Sequence, residues 1–459
     1  MNKKVMAGMI SPAILVAPWL FGVDTISAAA YTKAKADCST VVSVSGSVNG
    51  AVRTVDNGET GRLYKNSMVG QMGSDDALSH LEVSAKACSG NLDLSARARF
   101  ISRFNAFSYR NQDNAYHHCH LASQDGNNRD SAYSQHPSCK TMIQTSVLEI
   151  VVKDKLGRFG QLSIGKAPTG TSLSTKASFS PTSYTRGDVS NVYSVQLGND
   201  DPNNASQHLG EAFGTYGLNH DQFRLLYSTA EYFNGLSLSA EYVSQSDDRT
   251  VGGGGSTTPI FPRHDSLGFS GSWKSSVNGI DLDLRAGYTS RAWEPYYRNG
   301  AHNDFVGTNG SYHLRGLGAS AAFKAQGFDG SFAYAKLDPN QFLNRIADNF
   351  AANQPTDKHG EKAAVMNAFQ LGYTFDLMGK ETGLSGEYST SKHFRNDDSK
   401  ATIQGVRLAH KCTKDLTMHV VLQEHSFGGF KVEVGDFAAN THEVPKNAKV
   451  GVVGFTLNF

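Results

Sequence analysis

The chain has 459 residues and a formal net charge of +1, from 43 Lys+Arg against 42 Asp+Glu. This balance argues against a nucleic-acid partner, which needs a basic surplus, and 12 prolines without any low-complexity tract argue against extended disorder. Beyond the first thirty residues no apolar run approaches the ~18 residues of a membrane-spanning helix, which leaves a membrane barrel open.

The N-terminus carries Asn2-Lys3-Lys4, an apolar stretch from about Val5 to Val23, then Ser27, Ala28, Ala29 and Ala30. That order of basic, apolar and small residues predicts a secretory signal peptide over 1–30. Cleavage after Ala30 is expected, with cleavage after Ala36 as the alternative. The exported remainder, 31–459, reads as one unit in a compartment where thiols can oxidise.

From Val42 to Val52 apolar residues or glycine alternate with mostly small polar ones. Period two is the pattern of a strand with one apolar face. It recurs at Leu81–Ala87, Leu92–Phe100, Leu236–Tyr242, Ile280–Tyr288 and Leu416–Leu422, and closes with Val453, Phe455, Leu457 and Phe459. Sixteen such segments begin near residues 40, 78, 92, 145, 159, 222, 235, 266, 280, 313, 328, 366, 383, 402, 415 and 448.

Short links between them alternate with long ones, roughly 54–77, 104–144, 167–221, 244–265, 290–312, 338–365, 391–401 and 424–447. Tight turns at one end and long loops at the other, with an even strand number, predict an outer-membrane antiparallel β-barrel. Its outer face must be apolar and its backbone fully paired. Arg97, Glu149 and Asp283 then fall toward a water-filled lumen, where a charge is solvated. Tyr232, Tyr242, Trp273, Tyr288, Tyr334, Tyr373, Phe375 and Tyr388 sit near strand ends, as interface girdles would.

The basic residues cluster on one part of the expected lumen. Arg97 and Arg99 share the polar face of the third strand, Arg103 follows, and Lys86 projects from the strand before; Arg53 and Arg224 extend the set. They form either a free basic wall or ion pairs with Glu82, Glu149 or Asp93 that brace it. His117-His118-Cys119-His120, with His136 and Cys139 downstream, is the one dense ligand cluster. It reads as a Cys119–Cys139 loop disulfide or a plain loop before a metal site, since no second ligand pair has zinc spacing. Cys38 and Cys88 flank the first hairpin and are expected to pair, with Cys412 free; five unpaired thiols are the alternative. No G-x-S-x-G elbow or phosphate loop occurs, so no catalytic residues, cofactor or metal are assigned.

Several stretches resemble the trimeric general porins of Gram-negative outer membranes. Arg158-Phe159-Gly160-Gln161-Leu162-Ser163-Ile164-Gly165-Lys166 is similar to that family's "F-G-x-L-x-x-G-R" strand, with Lys for Arg. Tyr227-Ser228-Thr229-Ala230-Glu231-Tyr232 before Gly235-Leu236 resembles its "Y-x-S-P-x-F-x-G" turn, and Val450–Phe459 its closing strand with terminal Phe. The resemblance implies a sixteen-stranded homotrimeric diffusion channel for ions and small hydrophilic solutes, surrounded by outer-membrane lipid. It also implies a third external loop, here 167–221, folded into the barrel as a constriction. Lys166 matches the family's constriction arginine. The loop lacks the family's "P-E-F-G-G" element; Asp188 and Glu211 are the acidic candidates, with Asp200 and Asp201 also available. The alternatives are a substrate-selective channel, possibly of eighteen strands, and a barrel enzyme or adhesin.

Overall fold

The computed structural model describes residues 40–56, 65–70, 79–103, 142–154, 159–179, 222–232, 235–245, 264–293, 296–298, 305–307, 312–338, 362–394, 398–429, 432–434, 441–443 and 447–459. Sixteen wall strands are present among them. They are β1 (Val41–Asp56), β2 (two segments, Lys65–Gly70 and His80–Ser89), β3 (Leu92–Arg103) and β4 (Met142–Asp154). Next come β5 (Gln161–Ala167), β6 (Gln222–Ser228), β7 (Leu236–Gln245), β8 (His264–Val277), β9 (Ile280–Trp293) and β10 (Tyr312–Ala325). β11 (Phe328–Asp338), β12 (Ala364–Leu377), β13 (Lys380–Lys392), β14 (Lys400–Lys411), β15 (Leu416–Gly428) and β16 (Ala448–Asn458) complete the wall. Each strand pairs antiparallel with the next, and β16 pairs back to β1, from Ser47 opposite Asn458 to Asp56 opposite Lys449. The sheet is closed at sixteen strands, not the eighteen of the alternative layout. Closure leaves no edge, as a sheet in hydrocarbon requires.

One end is built of tight turns. Asn278-Gly279, Gln326-Gly327 and Met378-Gly379 each have both residues at positive φ, the two-residue hairpin geometry that matches strand twist. Gly235 shows why the second porin-like stretch ends in glycine. Its φ is +114, and an added Cβ would lie 1.8 Å from the Lys274 carbonyl oxygen.

β2 departs from the expected layout. The 54–77 link was expected to be loop, yet β1 continues to Asp56 and pairs with Lys65–Gly70. The register then jumps: Ala51 faces Gly70, but Ser47 faces His80. The register between the two segments is therefore shifted by six residues at the height of Asn49. The Ser79 hydroxyl fills the gap, accepting from Asn49 N at 3.0 Å and lying 3.4 Å from the Asn49 carbonyl. Two short hairpins, Tyr296–Arg298 with Phe305–Gly307 and Val432–Val434 with Thr441–Glu443, also lie within links expected to be loop.

The two faces have inverted chemistry. Leu148 (60% exposed), Phe269 (59%) and Leu422 (55%) are bare on the outside, while Glu149 (7%), Gln423 (6%) and Asp283 (2%) are buried on the other side. A water-soluble barrel has no reason for this inversion; one wrapped in lipid requires it. Tyr232, Tyr242, Tyr288, Tyr373 and Tyr388 are exposed on the outer side.

Glycine and aromatic residues also close the seam. The Phe459 and Phe455 rings lie over Gly46 and Gly50, where an added Cβ would meet them at 2.5 and 2.9 Å. Gly46 and Phe459 exchange two backbone hydrogen bonds of 3.0 Å. An aromatic ring laid across a cross-strand glycine is a recognised way to pin register.

Cys88, near the β2–β3 turn, is disulfide-bonded, and Cys412 carries a free thiol. Cys38, Cys119 and Cys139 lie outside the described residues, as does the His117–His120 cluster with His136. Val41 stands opposite Lys86 in the β1–β2 ladder, the side-by-side placement a Cys38–Cys88 bond would use. Peptide mapping without reduction is expected to recover that pair. A Cys88 peptide joined to Cys119 or Cys139 would contradict it.

Candidate functional site

The connection after β5 turns inward. Its described part, 168–179, bonds to three strands on the polar face of the wall, so it lies inside the barrel. Glu241 on β7 is the main anchor. Its carboxylate accepts from Gly170 N (2.6 Å), Thr171 N (3.3 Å) and the Thr171 hydroxyl (2.6 Å). On β9, Arg285 is paired with Asp283 (2.6 Å) and donates to the Leu173 carbonyl at 3.3 Å. On β10, the Ser320 hydroxyl donates to the Ser174 carbonyl (2.6 Å) and accepts from Ala177 N (3.0 Å).

Local sequence shapes the segment. Ser172–Thr175 forms one 3-10 turn, begun by the Thr169 hydroxyl accepting from Ser172 N at 3.1 Å. Short hydroxyl side chains satisfy the backbone of a tight turn in this way. The wall makes room with glycine. Gly268 stands opposite Glu241, and a Cβ there would sit 2.5 Å from the carboxylate; one at Gly287 would meet Ser174 at 2.9 Å. From β5 to β10 the segment passes five strand spacings, about 24 Å of wall.

The basic cluster faces the lumen on β3–β6. Arg97 donates to Glu149 at 2.5 Å and lies 4.0 Å from Glu82, which Arg99 contacts at 2.8 Å. Glu149 also accepts from Ser163 (3.0 Å) and Arg224 (3.4 Å). The braced reading of these arginines therefore describes their contacts. Arg224 is buried, whereas Arg97 keeps 36% of its side chain exposed. Lys86 is exposed, opposite Ser95.

Lys166 lies elsewhere. Its cross-strand neighbours are Leu148 and Phe223 of the outer face, and its ammonium donates to the Thr145 carbonyl at 2.9 Å. Gly165 precedes it at φ +132, and the alternation carries Lys166 to the outer register while Gly165 pairs with Arg224 inside. Arg53 and Arg103 occupy strand positions opposite Val452 and Met142. Asp188 and Glu211, with Asp200 and Asp201, lie outside the described residues.

Sequence reasoning passed over the residues that hold the inserted segment. Glu241, Arg285 and Ser320 read only as polar members of alternating strands. The available signal was Gly268, a glycine directly across from a lumen carboxylate, which leaves space for a third group. A second lumen network, in which Glu387 accepts from Arg407 and from Gln423 (2.5 Å), was equally unmarked.

No protein-family model matches the chain, and neither does any curated protein. Solved structures do. An anion-selective porin from Comamonas acidovorans aligns over 92% of this chain and 100% of its own at 13% identity, TM-score 0.52. A loop-deletion mutant of OmpT, an outer membrane protein of Vibrio cholerae, aligns over 92% and 99% at 12% identity, TM-score 0.48. The outer membrane channel DcaP of Acinetobacter baumannii aligns over 92% and 97% at 9% identity, TM-score 0.48. At these identities the likeness is one of architecture. The chain has the fold of outer-membrane β-barrel channels.

Proposed function

We propose that the chain is an outer-membrane porin, a water-filled channel for passive diffusion of ions and small hydrophilic solutes. The observation that carries this reading is the closed sixteen-strand barrel with the segment 168–179 anchored inside it on Glu241. An inserted strap narrows a lumen without plugging it by a separate domain. No catalytic step is assigned.

The same reading makes the chain a homotrimer. Outer positions within β1–β5 are aliphatic or small apart from Lys166, as at Val44, Val48, Ala85, Ala96, Ala98 and Leu148, and among the described residues Phe100 is the one aromatic within these strands, with Phe159 just before β5. The remaining outer wall carries Phe223, Tyr242, Phe269, Tyr288, Phe332, Phe369 and Tyr388. An arc without a girdle suits a protein neighbour better than a lipid interface. A heat-labile band of about three chain masses on unheated gels is the supporting result.

Selectivity follows from the β2–β6 cluster. Three guanidiniums, Arg97, Arg99 and Arg224, face two carboxylates, Glu82 and Glu149. One surplus positive charge at a narrow site biases passage toward anions. Replacing Arg97 and Arg99 by Ala leaves Arg224 and the neighbouring Lys86 against the two carboxylates, with no positive surplus. The reversal potential under a salt gradient is therefore expected to show weak anion preference and to lose it in the double variant. An unmoved potential would remove these arginines from the permeation path.

A further inference from the structure

The outer face over β12–β16, with Thr54 of β1 at its margin, holds a shallow, open groove of about 1010 Å³. Its position along the wall is unusual. One register row, Tyr388–Gln404–Glu424–Lys449, forms its upper edge toward the long connections. The next row toward the tight turns, Gly386–Val406–Leu422–Gly451, forms its floor. The groove is thus polar above and apolar below, with an open gap at Gly386, while the Thr54 and Leu422 side chains come to 3.2 and 3.7 Å from the Cβ position at Gly451. Nothing but the Gly405 carbonyl, at 4.0 Å, would approach a Cβ at Gly386.

The charges on the upper edge are not spent on each other. Glu424 and Lys449 stand directly opposite in the β15–β16 ladder, yet no ion pair joins them among the described residues. Glu424 accepts from Gln404 Nε2 at 3.1 Å. The exposed Lys449 ammonium has no partner among the described residues.

We propose that this groove binds one zwitterionic phospholipid. Lys449 takes its phosphate, Glu424 its ammonium, and an acyl chain lies over Gly386 against Val406 and Leu422. A neighbouring carboxylate makes the edge poor for a lipid of purely anionic head. The charges sit one above the apolar row, where a headgroup meets its chain, and match a head bearing both signs. This inference rests on the reading of the outer face as lipid-facing, and it is independent of what passes through the lumen.

The test is native mass spectrometry of the full folded chain released from detergent. Phosphatidylethanolamine and phosphatidylglycerol of equal chain length are supplied at equal concentration. The expected result is one retained phosphatidylethanolamine per chain. Lys449→Gln and Glu424→Gln each lower retention roughly fivefold, and Gly386→Leu lowers it with both charges in place. Heat-modified gel mobility checks that each variant is folded, and unchanged single-channel conductance separates this site from the pore. Equal retention of both lipids, or retention unaffected by all three variants, overturns the proposal. So does a chain–chain adduct that replaces the lipid and disappears in Lys449→Gln, which would make the groove a contact with a second copy.

Discussion

Glu241→Ala is expected to enlarge single-channel conductance and make it noisy. The Glu241 carboxylate is 4% exposed and accepts three hydrogen bonds from Gly170 and Thr171. A hydrogen bond to a charged acceptor contributes about 1.5–3 kcal/mol, and such bonds in one cluster are not additive. Losing the cluster costs the anchored state about 3 kcal/mol, roughly a hundredfold in the ratio of anchored to released segment. The Arg285–Leu173 and Ser320–Ser174 bonds remain, so release is partial and the open level fluctuates. Ser320→Ala removes neutral bonds and is expected to do less, about 1 kcal/mol. Glu241→Gln keeps an acceptor oxygen but loses the charge, and should fall between. Conductance identical in Glu241→Ala and the parent would mean the segment does not narrow the path.

Gly46→Val is expected to abolish the folded barrel. A Cβ at Gly46 would lie 2.5 Å from the His80 carbonyl oxygen on one side and 2.5 Å from the Phe459 ring on the other. Overpacking typically costs 1–3 kcal/mol, and here one obstacle is backbone that cannot rotate away. The collision falls on the closing seam, where Gly46 also exchanges two backbone bonds with Phe459. Opening that seam exposes unpaired strand edges to lipid, each unsatisfied group costing several kcal/mol. Removing Phe459 takes away the same two bonds and the covering ring, and should impair closure in the same direction. Gly428→Ala is the control, because nothing lies within 4 Å of its added Cβ. The readout is the heat-modifiable band; Gly46→Val migrating as folded barrel would refute the seam argument.

The wall was legible because lipid and water impose a strict period of two on every strand. Starts expected near 92, 222, 280, 328 and 448 coincide with β3, β6, β9, β11 and β16. β2 was only half legible. Lys65-Asn66-Ser67-Met68 has no apolar alternation, and its pairing with β1 depends on the register jump that Ser79 bridges. The basic residues were legible as lumen positions, since alternation places Arg97 and Arg99 against the apolar Leu94, Ala96 and Ala98. Their partners were legible only as alternatives. Lys166 went astray because a motif match fixes position along a strand, while the strand's alternation groups Lys166 with Leu162 and Ile164 on the outer face. The Glu241 anchor was not legible at all. It joins residues 71 apart in the chain, and periodicity within one strand carries no information about a segment arriving from another.

The most direct test of the account is single-channel recording of the folded full-length chain in planar bilayers, with Glu241→Ala beside it. The account predicts stepwise, ohmic openings for the parent and larger, fluctuating steps for the variant. Folded barrel that inserts without conducting, in both proteins, would contradict it.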